Sequence, residues 1–157
     1  MAAVTRRNLL IAAGVGGGLA IGWAVWPRTR GINWTTGPGE TLVNSFIKIG
    51  KDGRITVAVP QAEMGQGIWS GLAQVAADEM GADWRTVGVE PAPLGPAYAN
   101  KGMMIDQTAH MSETMRSIAT WTGGRMVEYF DFQITGGSTS MRGFEAPLRA
   151  AGAAGRE

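Results

Sequence analysis

Two short runs that alternate apolar and polar residues, Phe46 to Ile49 and Arg54 to Val59, lie on either side of Asp52-Gly53. Asp-Gly between alternating runs is a tight hairpin signal, because glycine supplies the positive φ such a turn needs. Ile55, Val57 and Val59 then share one face of the second strand, with Thr56 and Ala58 on the other. Pro60 has no N–H for a ladder and ends that strand. The chain continues at once into Gln61-Ala62-Glu63-Met64-Gly65-Gln66-Gly67, and then into apolar residues at helical spacing, Ile68, Leu72, Val75, Ala76 and Met80. Gly81 is placed to stop that helix, and Val87, Val89 and Pro91 follow as a short strand. Strand, helix and strand in that order predict a crossover unit attached to the hairpin, so the fold class is α+β.

The Gly65-Gln66-Gly67 joint is the first candidate site. Glycine lets the backbone turn sharply and approach a bound group, and a helix starting there directs unpaired N–H groups at the same place. Gln66 can donate and accept together. An ordinary turn is the commoner meaning of such a pattern. A second candidate is Thr135-Gly136-Gly137-Ser138-Thr139-Ser140, ahead of a further helix. Its hydroxyls can cap that helix or face an anion, and capping is their usual work.

Other segments carry less chemistry. Arg28 to Asn44 has no periodicity and is expected to be a linker; Pro91 to Gly102 is a proline- and alanine-rich loop. Met111, Met115, Ile118, Met126 and Phe130 predict an amphipathic helix from Met111 to Phe130, interrupted by Gly123-Gly124, with its methionines packed in the core. His110 is expected to flank that helix. The chain stops at Arg156-Glu157, expected to lie within the last helix.

Composition excludes several functions. There is no cysteine and a single histidine, which removes thiolate ligation, iron–sulfur ligation, disulfides and multi-histidine metal sites. A net charge of +1 gives no electrostatic basis for binding nucleic acid. The 24 glycines and 7 prolines make the chain loop-rich without reaching the level of disorder. At the start, Thr5-Arg6-Arg7-Asn8-Leu9-Leu10 precedes an uncharged run from Leu9 to Trp26. Paired arginines ahead of such a run have the layout of a twin-arginine export address, and a basic-flanked membrane anchor is the alternative.

Taken together, the Thr-Arg-Arg opening, Val59 to Gly67, Asp83-Trp84-Arg85-Thr86-Val87 and Thr135 to Arg142 resemble the molybdopterin-binding subunit of the xanthine dehydrogenase and aldehyde oxidase family. The nearest branch is the one named for isoquinoline 1-oxidoreductase. The resemblance implies that residues 45–157 form an incomplete piece of a larger molybdopterin-binding domain, after a signal or anchor at 1–27 and a linker at 28–44. It implies cofactor contacts at Gly65, Gln66 and Gly67 and at Gly137, Ser138, Thr139 and Ser140. The cofactor would be molybdopterin, with a cytosine dinucleotide as one form of its tail. No catalytic residue and no metal ligand is carried over, because the family's general-base glutamate lies far beyond the matching region. The implied function is a truncated or split part of a molybdenum hydroxylase that oxidises an aldehyde or N-heterocycle with oxygen from water, inactive as an isolated chain. Its implied partners are the remainder of the subunit, an iron–sulfur subunit, a cytochrome c subunit and, through the N-terminus, the membrane, with a periplasmic location. The alternative is an exported interaction domain with a vestigial cofactor site.

Overall fold

The computed structural model describes residues 5–26 and 31–156. Pro27, Arg28 and Arg30, expected to follow the apolar run, and Glu157 lie outside the described residues. Helix α1 (Arg6–Val25) starts at Thr5, whose hydroxyl accepts the Asn8 N–H at 3.3 Å. It runs through the glycine-rich stretch with its leucines and isoleucines exposed. Among the described residues, no helix is long and apolar enough to cross a membrane.

Strands β1 (Glu40–Asn44), β2 (Ile47–Gly50), β3 (Ile55–Val59) and β4 (Val87–Pro91) form one sheet in that order. The first three are antiparallel, and β3 pairs with β4 in parallel through helix α2 (Ile68–Met80). The hairpin and the crossover therefore form as the patterning predicts. Gly81 adopts φ 67° and closes α2, its N–H donating to the carbonyls of Ala77 and Asp78. The stretch expected to be a linker supplies β1, whose register slips between Leu42 and Asn44. Alternation over so few residues carried no usable periodicity, and the strand owes its place to pairing with β2.

Ile47, Val57, Val59, Leu72, Ala76, Phe144 and Leu148 meet in the core, where α2 and helix α5 (Thr139–Gly155) cover one face of the sheet. On the opposite face Lys48 is buried, and its Nζ reaches Glu40 at 3.1 Å and Glu90 at 3.0 Å. The Trp34 ring lies 4.6 Å from the same ammonium, and its indole N–H donates to Glu90 at 3.0 Å. Burial opposes the charge on Lys48, but the two carboxylates outweigh it and raise the pKa.

Helix α3 (Met103–Gln107) and helix α4 (Glu113–Tyr129) are the remaining α-helices of the described residues, beside 3-10 turns at Trp84–Thr86 and Pro96–Tyr98. The sequence places the apolar stripe of α4 in the core, and the structure reverses it. Met115, Ile118, Met126 and Phe130 are about half exposed, while Gly124 and Val127 are buried. Gly123 lies against the end of the Met104 side chain, on the face of the helix that packs. His110 is exposed in the turn between α3 and α4.

The contact between α2 and α5 is equally close at Gly152, where a Cβ would collide with the Ala76 carbonyl and stand 2.9 Å from Glu79 Cβ. Both obstacles belong to a helix that cannot move without disturbing the core. Gly152→Val should therefore destabilise the chain by about 1–3 kcal/mol. A lower urea midpoint at constant slope would show it, and an unchanged midpoint would contradict this packing.

Candidate functional site

The Gly-Gln-Gly joint leaves the carboxyl end of β3, at the edge of the parallel pair. Gly65 and Gly67 adopt φ of 89° and 76°, a region closed to most side chains. The loop is held from inside by Glu63. One carboxylate oxygen accepts the Gly65 N–H at 2.8 Å and the Gly67 N–H at 2.9 Å, and the other accepts the Trp69 N–H at 3.0 Å. Those amides, Trp69 and Gly67 foremost, hold the exposed carboxyl below its usual pKa. The Gln66 side chain also turns inward, accepting from the Met64 N–H at 2.6 Å and donating to the Ala62 carbonyl at 2.8 Å. A primary amide has two N–H groups and two lone pairs, so Gln66 retains one of each for a guest.

The hydroxyl-rich turn meets this loop although 73 or more residues separate them in the chain. The Ala62 N–H donates to Thr135 Oγ1 at 2.8 Å, and Ser140 Oγ donates to Gln61 Oε1 at 2.7 Å. Between them lies an open cleft of about 420 Å³. Gln66, Thr135, Ser138 and Ser140 provide its polar lining, and Met64, Ile68 and Met141 its apolar lining. Among the described residues, neither Lys, Arg, Asp nor Glu lines it.

Of the residues singled out in the sequence, Gln66, Ser138 and Ser140 line the cleft together. Gly65, Gly67 and Gly137 shape the backbone, all at positive φ. Thr139 is buried instead, and its hydroxyl donates to the Gly136 carbonyl at 2.7 Å while accepting from Asn100 at 2.9 Å. No hydroxyl caps α5; Ser138 precedes it in the left-handed region at φ 54°. That conformation is uncommon for a residue with a Cβ and places mild strain at the lip of the cleft.

Two organising residues escape sequence reasoning. Asn100 is fully buried; its side-chain amide donates to the Ile134 carbonyl and to Thr139, and its oxygen accepts the Gly102 N–H. A Cβ on Gly143 would stand 2.7 Å from that oxygen, which accounts for glycine inside α5. Glu63 is the other, and its position two residues before Gly65 is the only signal that could have indicated it.

The cleft fits a cofactor of the pterin class on three observations. Its volume lies in the range of small-molecule sites. Its lining donors and acceptors, an amide and three hydroxyls, can pair with the edge of a heterocycle. Nothing stands within 4 Å of a Cβ built at Gly65, Gly67 or Gly136, so a guest can approach the backbone there.

Comparison with known proteins agrees with this chemistry. The family described as "Molybdopterin cofactor-binding domain" matches residues 5–93. This chain belongs to that molybdopterin cofactor-binding domain family. A curated relative, "Membrane-bound aldehyde dehydrogenase [pyrroloquinoline-quinone]" of Gluconacetobacter polyoxogenes, is 33% identical over 111 residues, 66% of this chain. The chain spans only 14% of the length of that relative. No solved structure matches. The family match includes the Gly-Gln-Gly joint and ends before the hydroxyl-rich turn, so the pairing of the two turns rests on geometry.

Asn100→Ala would leave the Ile134 carbonyl, the Thr139 hydroxyl and the Gly102 N–H without their partner. A loss of about 1–3 kcal/mol in unfolding free energy is expected, together with faster amide exchange across 132–140. Parent-like exchange in that segment would show that Asn100 does not hold the turn.

Proposed function

We propose that this chain forms part of the molybdopterin cradle of a molybdenum hydroxylase that oxidises aldehydes or N-heterocycles. The observation that carries this reading is the meeting of the two turns around one uncharged cleft, in a chain whose family is named for that cofactor. Gln66 would hydrogen-bond the pterin with the donor and acceptor left to it, and Ser138 and Ser140 would face it from the other wall. Gly65 and Gly67 would admit its close approach. When bound, molybdenum on the dithiolene of such a cofactor supplies two-electron oxidation with oxygen taken from water. This chain's residues bind and orient the group, and among the described residues no acid–base side chain lines the cleft.

The chain works as a fragment or split subunit in this reading. The exposed stripe of Met115, Ile118 and Met126 on α4, with Phe130 at its end, supports it, being a surface that the remainder of the subunit would cover. Electrons would leave to an iron–sulfur partner and, in a membrane-bound enzyme, to a c-type cytochrome. The Arg6-Arg7 pair supports export by the twin-arginine route to the periplasm, a route suited to proteins folded around a cofactor.

The relative's name specifies a quinone, and the family description a pterin; content analysis separates them. Chain co-expressed with the downstream remainder of the subunit should carry molybdenum and a fluorescent oxidised pterin, and the chain alone should oxidise no aldehyde. Valine at Gly67 would fill the open space through which the guest approaches the backbone, and retention of the cofactor should fall on the order of tenfold. The hairpin should fold normally in Gly67→Val by circular dichroism. Equal pterin in mutant and parent, or a quinone in place of the pterin, would overturn the assignment.

A further inference from the structure

The chain between α4 and α5 belongs to no strand of the sheet, yet its pattern is that of one. From Asp131 to Gly136, half-buried and exposed residues alternate, and the exposed set is Phe132, Ile134 and Gly136. Phe132 and Ile134 are 44% and 49% exposed, and the Phe132 ring stacks on that of Phe130 at 5.5 Å. Main-chain bonding alternates in step. The Phe132 and Ile134 carbonyls accept from Asn100 at 2.7 and 2.8 Å, and the Phe132 N–H donates to the Val127 carbonyl at 3.0 Å. The N–H and carbonyl groups of Gln133 and Thr135 have no partner among the described residues. One edge of the segment is thus held by Asn100, and the other is bare. A bare edge between outward apolar side chains is the form to which an extended strand adds.

We propose that residues 132–136 are a docking edge for an extended segment of the remainder of the subunit. That segment adds as a strand on the N–H and carbonyl groups of Gln133 and Thr135, and lays alternate apolar side chains against Phe132 and Ile134. This rests on the reading of the chain as one piece of a split subunit. In that reading most of the subunit lies outside this chain, which spans 14% of the relative's length. The edge is also continuous through Phe130 with the apolar stripe of α4, so one partner covers both. Docking then reaches the candidate site, because Thr135 and Gly136 line the cleft as well. Strand addition fixes that wall, and cofactor retention comes to depend on assembly.

The test uses the full chain, alone and co-expressed with the downstream remainder of the subunit, read by amide exchange. In the complex, exchange at Gln133 and Thr135 should slow on the order of tenfold relative to the chain alone. I134K, which sets a charge on the outward side, should weaken assembly on the order of tenfold. Q133P removes an N–H from the bare edge and Q133A does not, while both lose the side-chain bond to the Pro93 carbonyl. Q133P should therefore weaken assembly further than Q133A. Exchange at Ile47 and Val57 in the sheet reports that each variant is folded, and I134K decides the matter should Q133P fail to fold. A complex in which Gln133 and Thr135 exchange as in the free chain, or which I134K joins as tightly as the parent, would overturn the proposal and leave the split-subunit reading intact. Slowed exchange at these amides as the chain alone is concentrated would assign the edge to a second copy and overturn it likewise. Failure to form any complex would refute the split-subunit reading itself, and this proposal with it.

Discussion

Two hydrogen bonds tie the beginning of the second half of this fold to its end, and the cleft exists because of them. The Ala62 N–H on Thr135 and the Ser140 hydroxyl on Gln61 join segments 73 and 79 residues apart. Gln61 is buried, so leaving its amide unmatched would cost more than an exposed contact of the same length. The indole N–H of Trp69 donates to the Gln61 carbonyl at 2.8 Å, which anchors the first turn of α2 to the same point. Each wall of the cleft is thus fixed by the other.

The scaffold beneath explains why these bonds can form. The parallel pairing of β3 and β4 brings Val59 level with Pro91, and α2 begins immediately beyond. Helix α5 lies along α2 because small residues permit it, with Ala76 on one side and Gly152 on the other. Its N-terminus consequently reaches the Gly-Gln-Gly joint. Tyr98 supports the arrangement from below, its hydroxyl on the Ser45 carbonyl and its ring 5.4 Å from Phe46; burial pushes that hydroxyl up to about 12. On the far face of the sheet, Lys48 between Glu40 and Glu90 links β1, β2 and β4, a paired charge where an unpaired one would be destabilising.

Local chemistry made some of this legible in the sequence. Asp52-Gly53, Pro60 and Gly81 act through their own backbone preferences, and the hairpin, the crossover helix and its end follow from them. Tertiary chemistry was not legible. Strand β1 depends on its partner. The apolar residues of α4 suggested an inward face, but its buried positions are Gly124 and Val127. The candidate glycines and hydroxyls lie on the two turns that border the cleft, while the separate contacts each residue makes were hidden. Thr139 serves Asn100 instead of the cleft, and Glu63 takes the amides that the motif alone offers to a ligand. Both are contacts between side chains and backbone whose geometry no spacing rule specifies.

The most direct measurement of the central claim is a double-mutant cycle on Gln61 and Ser140, read by urea unfolding of Gln61→Leu, Ser140→Ala and the combined variant. If the two turns are joined as described, the pair is non-additive, with a coupling of about 0.5–1.5 kcal/mol. Additive losses, with no coupling beyond error, would mean that the walls of the cleft stand independently and that the site is not a single unit.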